Sequence, residues 1–358
     1  MTWRVVQWST GNLGRAAIEG IIAHPELELA GVWVHTTSKA GKDAGEICGI
    51  GPIGVRTTQD AQALIAMRPD CILYSPLFPD EDEVVRMLEA GINVVTPLSW
   101  FYTKHMKVDR LEAACRKGNA TLHGTGIHPG GMTERIPLVI SSFSQKITHV
   151  RAEEYSDCRT YGAPEVLRDY MFFGKPVEQA GESMMLGVLS GGFYQSIDMI
   201  ADAMGFRLDA KKRAVHQAFP ATAPIESPIG VIRPGELAAQ KFTWQGTVDG
   251  KPVITAAVNW YMGHENIGGG WSIGGGEERY ELAITGDPPI TAQFHGIHPA
   301  KGYVLEEVLR RNPGMVATAN HCVSAIPYVC AAPAGIKSYL DLPLIAGRAR
   351  LDLSHHKR

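Results

Sequence analysis

The chain has 358 residues, 45% of them hydrophobic and 20% charged, with a formal charge of −3. That length can bury a sizeable core and fits one large or two ordinary domains. Acids and bases are interspersed, which argues against a nucleic-acid footprint or a patch for anionic membranes, so small molecules are the expected partners.

Six cysteines (Cys48, Cys71, Cys115, Cys158, Cys322 and Cys330) are scattered without a CxxC pair, and the 13 histidines lack zinc-ligand spacing. Reduced, buried thiols and no metal are expected. The opening MTWRVVQW lacks the basic start, apolar core and cleavage site of a signal peptide. No run approaches the ~18 apolar residues of a membrane span. A soluble cytoplasmic protein is the expectation.

The first 130 residues alternate strand and helix patterns. Arg4 to Trp8 reads as a strand, followed by a glycine loop and the helical RAAIEGIIA. Leu27 to His35 is a second strand, Asp60 to Met67 a helix and Asp70 to Ser75 a strand. Asp80 to Ala90 is an amphipathic helix with acids in its first turn, which suits the helix dipole. Ile92 to Thr96, Val108 to Lys117 and Ala120 to Gly124 read as strand, helix and strand. Such repeats imply a doubly wound parallel sheet. After GTGIHPGGM (124–132) the pattern changes. A helix is expected from Thr133 to about Ser144, then the strand ITHVRAEEYSD, then a helix over about Glu182 to Met204. KKRAVHQAF, QKFTWQGTV, KPVITAAVNWYM and ERYELAIT alternate with period two, and Asp249-Gly250 marks a hairpin. This second region reads as a mostly antiparallel sheet with covering helices. From about Met315 the tail is helical, apolar and suited to pack back on the first domain.

The sharpest motif is QWSTGNLGR, Ser9-x-Gly11-x-x-Gly14 placed between a strand and a helix. Gly11 lets the backbone approach a pyrophosphate, Gly14 lets helix and strand pack closely, and the free amides at the helix start bind phosphate. Only the first glycine of the usual pattern is replaced, by Ser9. Ser9, Thr10, Gly11, Asn12, Leu13, Gly14 and Arg15 are the candidate phosphate contacts. An NAD site usually places an acid at the end of the second strand. Here that position reads His35-Thr36-Thr37-Ser38-Lys39, with no acid until Asp43. Hydroxyls and a lysine, with Arg15 nearby, favour a 2′-phosphate, so NADP(H) is expected ahead of NAD(H). Ser75-Pro76-Leu77 and Thr96-Pro97 lie at later strand ends, where such sheets bind their ligands, and are expected to line the nicotinamide pocket.

These stretches, with KAGKDAGEICGIGPIGV, DCILYSP, GINVVT and GTGIHPGG, resemble the dihydrodipicolinate reductase-like proteins, nearest to native NAD(P)H-dependent amine dehydrogenases and 2,4-diaminopentanoate dehydrogenase. The resemblance runs to the closing SAIPYV and SYLDLPL. It implies a Rossmann domain (1–130), an α+β substrate and dimerisation domain (131–312), a C-terminal helix and tail (313–358), a homodimer, and hydride transfer to a C=N or C=O carbon in a cleft. Members that perform reductive amination carry a glutamate just after the strand matching INVVT. Here that segment, TPLSWFYTK, holds no carboxylate. Nor does EEYSDCRTYGAPE reproduce the histidine-pair and lysine motif of dihydrodipicolinate reductases.

The proton donor such a reduction needs must therefore stand elsewhere. His128 can titrate near neutrality, and Asp157 and Tyr161, at the end of the second domain's first strand, are the other candidates. Tyr155 is expected to contact substrate, with Glu154 on the opposite face because strand side chains alternate. Ser99, Trp100 and Tyr102 stand where the glutamate is missing, and with Phe101 form an aromatic wall suited to an apolar substrate. Asn320 is a candidate nicotinamide contact. The glycine-rich HENIGGGWSIGGGEE reads as a strand-linking loop, with a lid bearing Trp271 as the functional version. The terminal SHHKR reads as a frayed tail. The sequence thus points to an NADP-preferring oxidoreductase. Its rivals are reductive amination with a relocated carboxylate and a non-catalytic NADP-binding sensor.

Overall fold

The computed structural model describes residues 2–274, 278–296 and 311–349, which fall into two units. The first, Met1–Gly130 with Met315–Arg358, begins with β1 (Trp3–Trp8), α1 (Asn12–Ala23), β2 (Leu27–Trp33), α2 (Ala44–Cys48), β3 (Thr57–Thr58), α3 (Ala61–Ala66) and β4 (Cys71–Tyr74). It continues through α4 (Glu81–Glu89), β5 (Asn93–Thr96), α5 (Asp109–Gly118) and β6 (Thr121–Gly124). Asp80 caps α4 by accepting from the amides of Asp82 and Glu83 at 2.8 and 3.2 Å, so the acidic first turn does help start the helix.

The second unit, Gly131–Gly314, contains α6 (Ile136–Ile140), β7 (Gln145–Asp157), α7 (Met185–Met204), β8 (Arg213–Pro220), β9 (Ile225–Ser227) and β10 (Gly230–Ile232). β11 (Leu237–Val248), β12 (Lys251–Tyr261), β13 (Arg279–Asp287) and β14 (Ile290–Phe294) follow. Its main sheet runs β14-β13-β7-β12-β11-β8, antiparallel except between β7 and β12. Asp249 and Gly250 take φ of 49° and 73° between β11 and β12, the positive pair of a type I′ turn. α7 covers one face, where Phe193 stacks on Trp244 at 4.2 Å and Ser190 accepts from the indole N–H. The register puts Ala152, Glu154 and Ser156 on that helix-covered face and Glu153, Tyr155 and Asp157 on the other.

The chain then completes the first unit with α8 (Pro313–Cys330) and β15 (Gly335–Lys337). The resulting sheet runs β15-β6-β5-β4-β1-β2-β3 and is parallel throughout. Its strands are apolar on both sides because both sides are covered. Val6, Ile72 and Val94 pack under α4 and α5, while Val5, Leu73 and Val95 meet α1 and α8. α8 adds Ala319, Val323, Ile326 and Val329 to that core, each large aliphatic side chain contributing roughly 1.5–3 kcal/mol.

Two helix expectations are corrected. Residues 131–143 form a π-helical turn (Gly131–Arg135), the one-turn α6 and a 3-10 turn (Ser141–Phe143) in place of a single helix. Pro137 removes an amide donor there. α7 begins at Met185, because Val177–Glu182 winds as a 3-10 helix. Among the described residues no helix is long and apolar enough to cross a membrane. The terminal SHHKR and residues 275–277 of the glycine-rich segment lie outside the described residues.

Candidate functional site

The loop from β1 to α1 carries the strongest local signature. Ser9 has φ +92°, the left-handed conformation for which the usual pattern keeps a glycine. A Cβ at Gly11 would meet nothing within 4 Å, whereas one at Gly14 would collide with the Ser9 carbonyl. Open space over the second glycine and none at the third is what a pyrophosphate-binding turn needs. The side chain of Gln7, which the sequence pattern does not single out, ties the turn down. Its buried amide donates to the carbonyls of Trp8 and Ser9 at 3.2 and 3.0 Å and to Ser75 Oγ at 2.8 Å. Ser75 therefore supports the loop from β4, with Pro76 half-buried and Leu77 exposed after it. Gly11 caps α1 without a side-chain bond, and Asn12 and Leu13 open the helix. The fit to a dinucleotide phosphate is good.

His35, Thr36, Thr37 and Ser38 are exposed beyond β2, the last two opening a 3-10 turn (Thr37–Lys39). Lys39 turns back, its Nζ donating to Thr10 O and Oγ1, both at 3.3 Å. Burial and then the charge of Arg15 hold its pKa below the usual lysine range, so two cations flank the loop. The first acid, Asp43, is committed to its own turn. It accepts from the amides of Gly45, Ile53 and Gly54 at 2.8, 3.0 and 2.8 Å. Those bonds lower its pKa, Ile53's first. A ribose diol has no carboxylate partner here from residues 35–43.

At later strand ends Thr96 is fully buried and accepts from the Leu98 amide, and its carbonyl accepts from Thr125. Pro97 lies against Gly126, as does Thr318 of α8. Asn320 is exposed, its Oδ1 beside Gly20 in the second half of α1, not at the loop. Trp100 is 5% exposed, with φ +60°, and joins the Val6–Ile72 core, while Phe101 is 1% exposed. The main chain of Ser99 to Phe101 crosses close over Gly124 there. Ser99 stays half-buried, and Trp100, Phe101 and Tyr102 together line a pocket of about 230 Å³ with Lys104, Ile336 and Asp341. His128 is half-buried in the crossover, where Ile127 bridges to Gly130.

In the second unit, alternation separates the candidates. Tyr155 lies on the face away from α7, under the guanidinium of Arg279 at 4.0 Å, and burial first raises its hydroxyl to about 12. The segment bearing Trp271 packs on that face against Phe219 and Tyr261. Asp157 is not a free acid. Arg159 holds both its oxygens, with Nε 3.0 Å from each, and the Gly263 amide donates at 3.2 Å. The strand end turning into Cys158–Thr160 also leaves the Arg159 amide for it to bind.

Three glutamates are buried in this unit: Glu154, on the face opposite Tyr155 as strand alternation requires, and Glu134 and Glu278, which the sequence pattern does not single out. Glu134, fully buried in the π-helical turn, accepts from Ser196 of α7, and burial pushes it up to about 8. Glu154 accepts from Trp260 Nε1 at 3.1 Å, and burial raises it to about 7. Glu278 is raised to about 8, by burial first and then by Asp157 and Glu154. Tyr161 is half-buried beside them, and burial, then Glu154, keeps its hydroxyl protonated. Polar residues at apolar register positions are the only sequence signal for them.

These features define a class before any particular relative. Residues 5–74 match the model of the dihydrodipicolinate reductase N-terminus, and residues 133–267 that of the 2,4-diaminopentanoate dehydrogenase C-terminal domain. The chain is an oxidoreductase with a Rossmann-type sheet and a second, mostly antiparallel sheet, and it is similar to the dihydrodipicolinate reductase-like proteins. Within that class, an amine dehydrogenase of Streptomyces virginiae is 29% identical over 97% of this chain and 98% of its own. The 2,4-diaminopentanoate dehydrogenase of Acetoanaerobium sticklandii is 25% identical over 74% and 70%. The solved amine dehydrogenase of Mycobacterium smegmatis shares the fold at a TM-score of 0.76, with 20% identity over 97% and 98% of the two chains.

Proposed function

We propose that this oxidoreductase is an NADP-preferring reductase of C=O or C=N bonds in small to medium, largely apolar molecules. The dinucleotide is held by Ser9 to Arg15, with Ser75, Pro76, Leu77, Thr96 and Pro97 along its course, and supplies the hydride when bound. Lys39, bonded to Thr10 across the glycine loop with Arg15 nearby, carries the NADP reading. Two cations and no free acid suit a 2′-phosphate and leave a bare ribose diol unmatched. Tyr155, Ser99 and Tyr102 are the proposed substrate contacts, and His128 or Tyr161 the proton donor. A homodimer in the cytoplasm is the proposed setting. NADPH and NADH titrations followed by nicotinamide fluorescence test the cofactor assignment. Lys39→Ala should weaken NADPH about tenfold, roughly 1.4 kcal/mol, and leave NADH unchanged. Tighter NADH binding in the wild type overturns it.

The relatives named amine and diaminopentanoate dehydrogenase favour a second reading, reductive amination with a relocated carboxylate. Ketone-dependent NADPH oxidation that requires ammonium supports it, and oxidation indifferent to ammonium refutes it.

A further inference from the structure

Two of the six cysteines stand against each other in the first unit. Cys71 opens β4 and Cys330 closes α8, and their side chains share a hydrogen bond. The Cys330 sulfur lies 3.8 Å from the carbonyl oxygen of Asp70, the residue joined to Cys71. Both side chains belong to the apolar layer between the sheet and α8, together with Leu73, Val95 and Val329. Cys71 is fully buried and Cys330 half-buried. The other four sulfurs meet backbone groups instead. Cys48 bonds to Arg15 O, Cys158 to Ser156 O and Cys322 to Thr125 O, each at 3.9 Å. Cys115 accepts from the Leu122 and Gly335 amides. Cys71 starts its strand, so the pair sits at the amino ends of β1 and β4, whereas the glycine loop leaves β1 at its carboxyl end.

A hydrogen-bonded thiol pair has its sulfurs turned toward each other, the arrangement from which an S–S bond of ~2 Å forms with the least backbone movement. We propose that Cys71 and Cys330 form a reversible disulfide under a hydroperoxide, fastening the end of α8 covalently to β4. The half-buried Cys330 reacts first. Its thiolate attacks the peroxide O–O bond and becomes a sulfenic acid, and the departing alkoxide or hydroxide takes up the thiol proton. The Cys71 sulfur then displaces the hydroxyl from the Cys330 sulfur, and its proton leaves with that hydroxyl as water. Two thiols and one ROOH thus give one disulfide, one ROH and one water. Each sulfur loses one electron and the peroxide gains two. Burial holds the Cys71 thiol well above the usual range, which assigns it the second step. The chain leaves the first unit after Gly130 and returns at Met315, so the bond closes a loop containing the whole second unit. A cross-link over so long a loop removes much of the freedom of the unfolded chain. The inference is independent of the reductase reading.

Peptide mapping of the full chain tests the bond. After treatment with hydrogen peroxide, alkylation and digestion without reductant, mass spectrometry should find a peptide linked through Cys71 and Cys330. The oxidised chain should melt about 5 °C or more above the reduced one, and dithiothreitol should reverse the gain. Because the thiolate is the attacking form, cross-linking should quicken from pH 7 to pH 9. Cys330→Ser, at a half-buried helix end, should keep the fold and lose both the link and the gain in melting temperature. Cys71→Ala should leave a sulfenic acid on Cys330, trapped as a dimedone adduct. Oxidation of the wild type that stops at sulfenic or sulfinic acid, with no linked peptide, overturns the proposal. So does a thermal gain that survives in Cys330→Ser. A linked peptide whose chain melts no higher than the reduced form overturns the fastening of α8.

Discussion

The glycine loop of the first unit turns its polar groups toward open space, whereas the second unit buries carboxyls in its interior. In the glycine loop the polar groups are backbone amides and carbonyls, tied by Gln7 and left facing open space at Gly11. In the second unit Glu134, Glu154 and Glu278 are carboxyls set under a helix, two of them with an unpartnered oxygen among the described residues. The first arrangement binds a charge brought from outside. The second suppresses its own charge, because burial makes ionisation unfavourable.

The largest effect should come from filling the closest approach in the first unit. Gly14→Ala places a methyl on the Ser9 carbonyl, and neither main chain can retreat without opening the β1–α1 turn. Overpacking of this kind costs about 1–3 kcal/mol. NADPH affinity should fall by at least about 100-fold, or 2.7 kcal/mol, as read by fluorescence titration beside a thermal melt. Retained affinity would mean that the loop is not the phosphate site.

A pH experiment sharpens the other half of the comparison. Glu134 has its folded pKa raised from 4.5 to about 8. Its raised value makes the folded state the tighter proton binder, so its contribution is complete below about pH 4.5 and is lost as pH rises through about 8. Above that range the buried charge opposes folding, on the order of 1.4 kcal/mol for each tenfold gain in proton affinity on folding. Glu134→Gln should therefore melt several degrees above the wild type at pH 9 and close to it at pH 5. Equal gains at both pH values would show that the carboxyl is not held neutral.

The same contrast explains what could be read from the residues alone. QWSTGNLGR and HTTSK are contiguous, so their spacing exposes the loop, and the structure adds only Gln7 and the Lys39–Thr10 bond. The parallel sheet was legible because its strands are apolar on both faces. β9, β10, β14 and β15 run to five residues or fewer, too short to display a period. Trp100 is ambiguous from sequence because an aromatic after a strand can join the core and still border a pocket, as it does here. The Glu154–Glu278 pair was out of reach, since 124 positions of sequence separate partners that only the β7–β13 register brings together.

The smallest effect returns to the serine at the head of the loop. Ser9 holds φ +92°, where a Cβ costs on the order of 1–3 kcal/mol. Glycine removes that strain but loses about 0.4–1 kcal/mol through the freedom it adds to the unfolded chain. The two terms oppose each other, and the strain is the larger. Gln7 Nε2 holds the Ser9 carbonyl and not its hydroxyl, so the anchor survives the substitution. Ser9→Gly should thus raise the melting temperature by a degree or two and change NADPH affinity less than about threefold. A clear fall in stability would mean that the serine hydroxyl makes a contact of its own, and that the turn is more than a glycine position that tolerates a side chain.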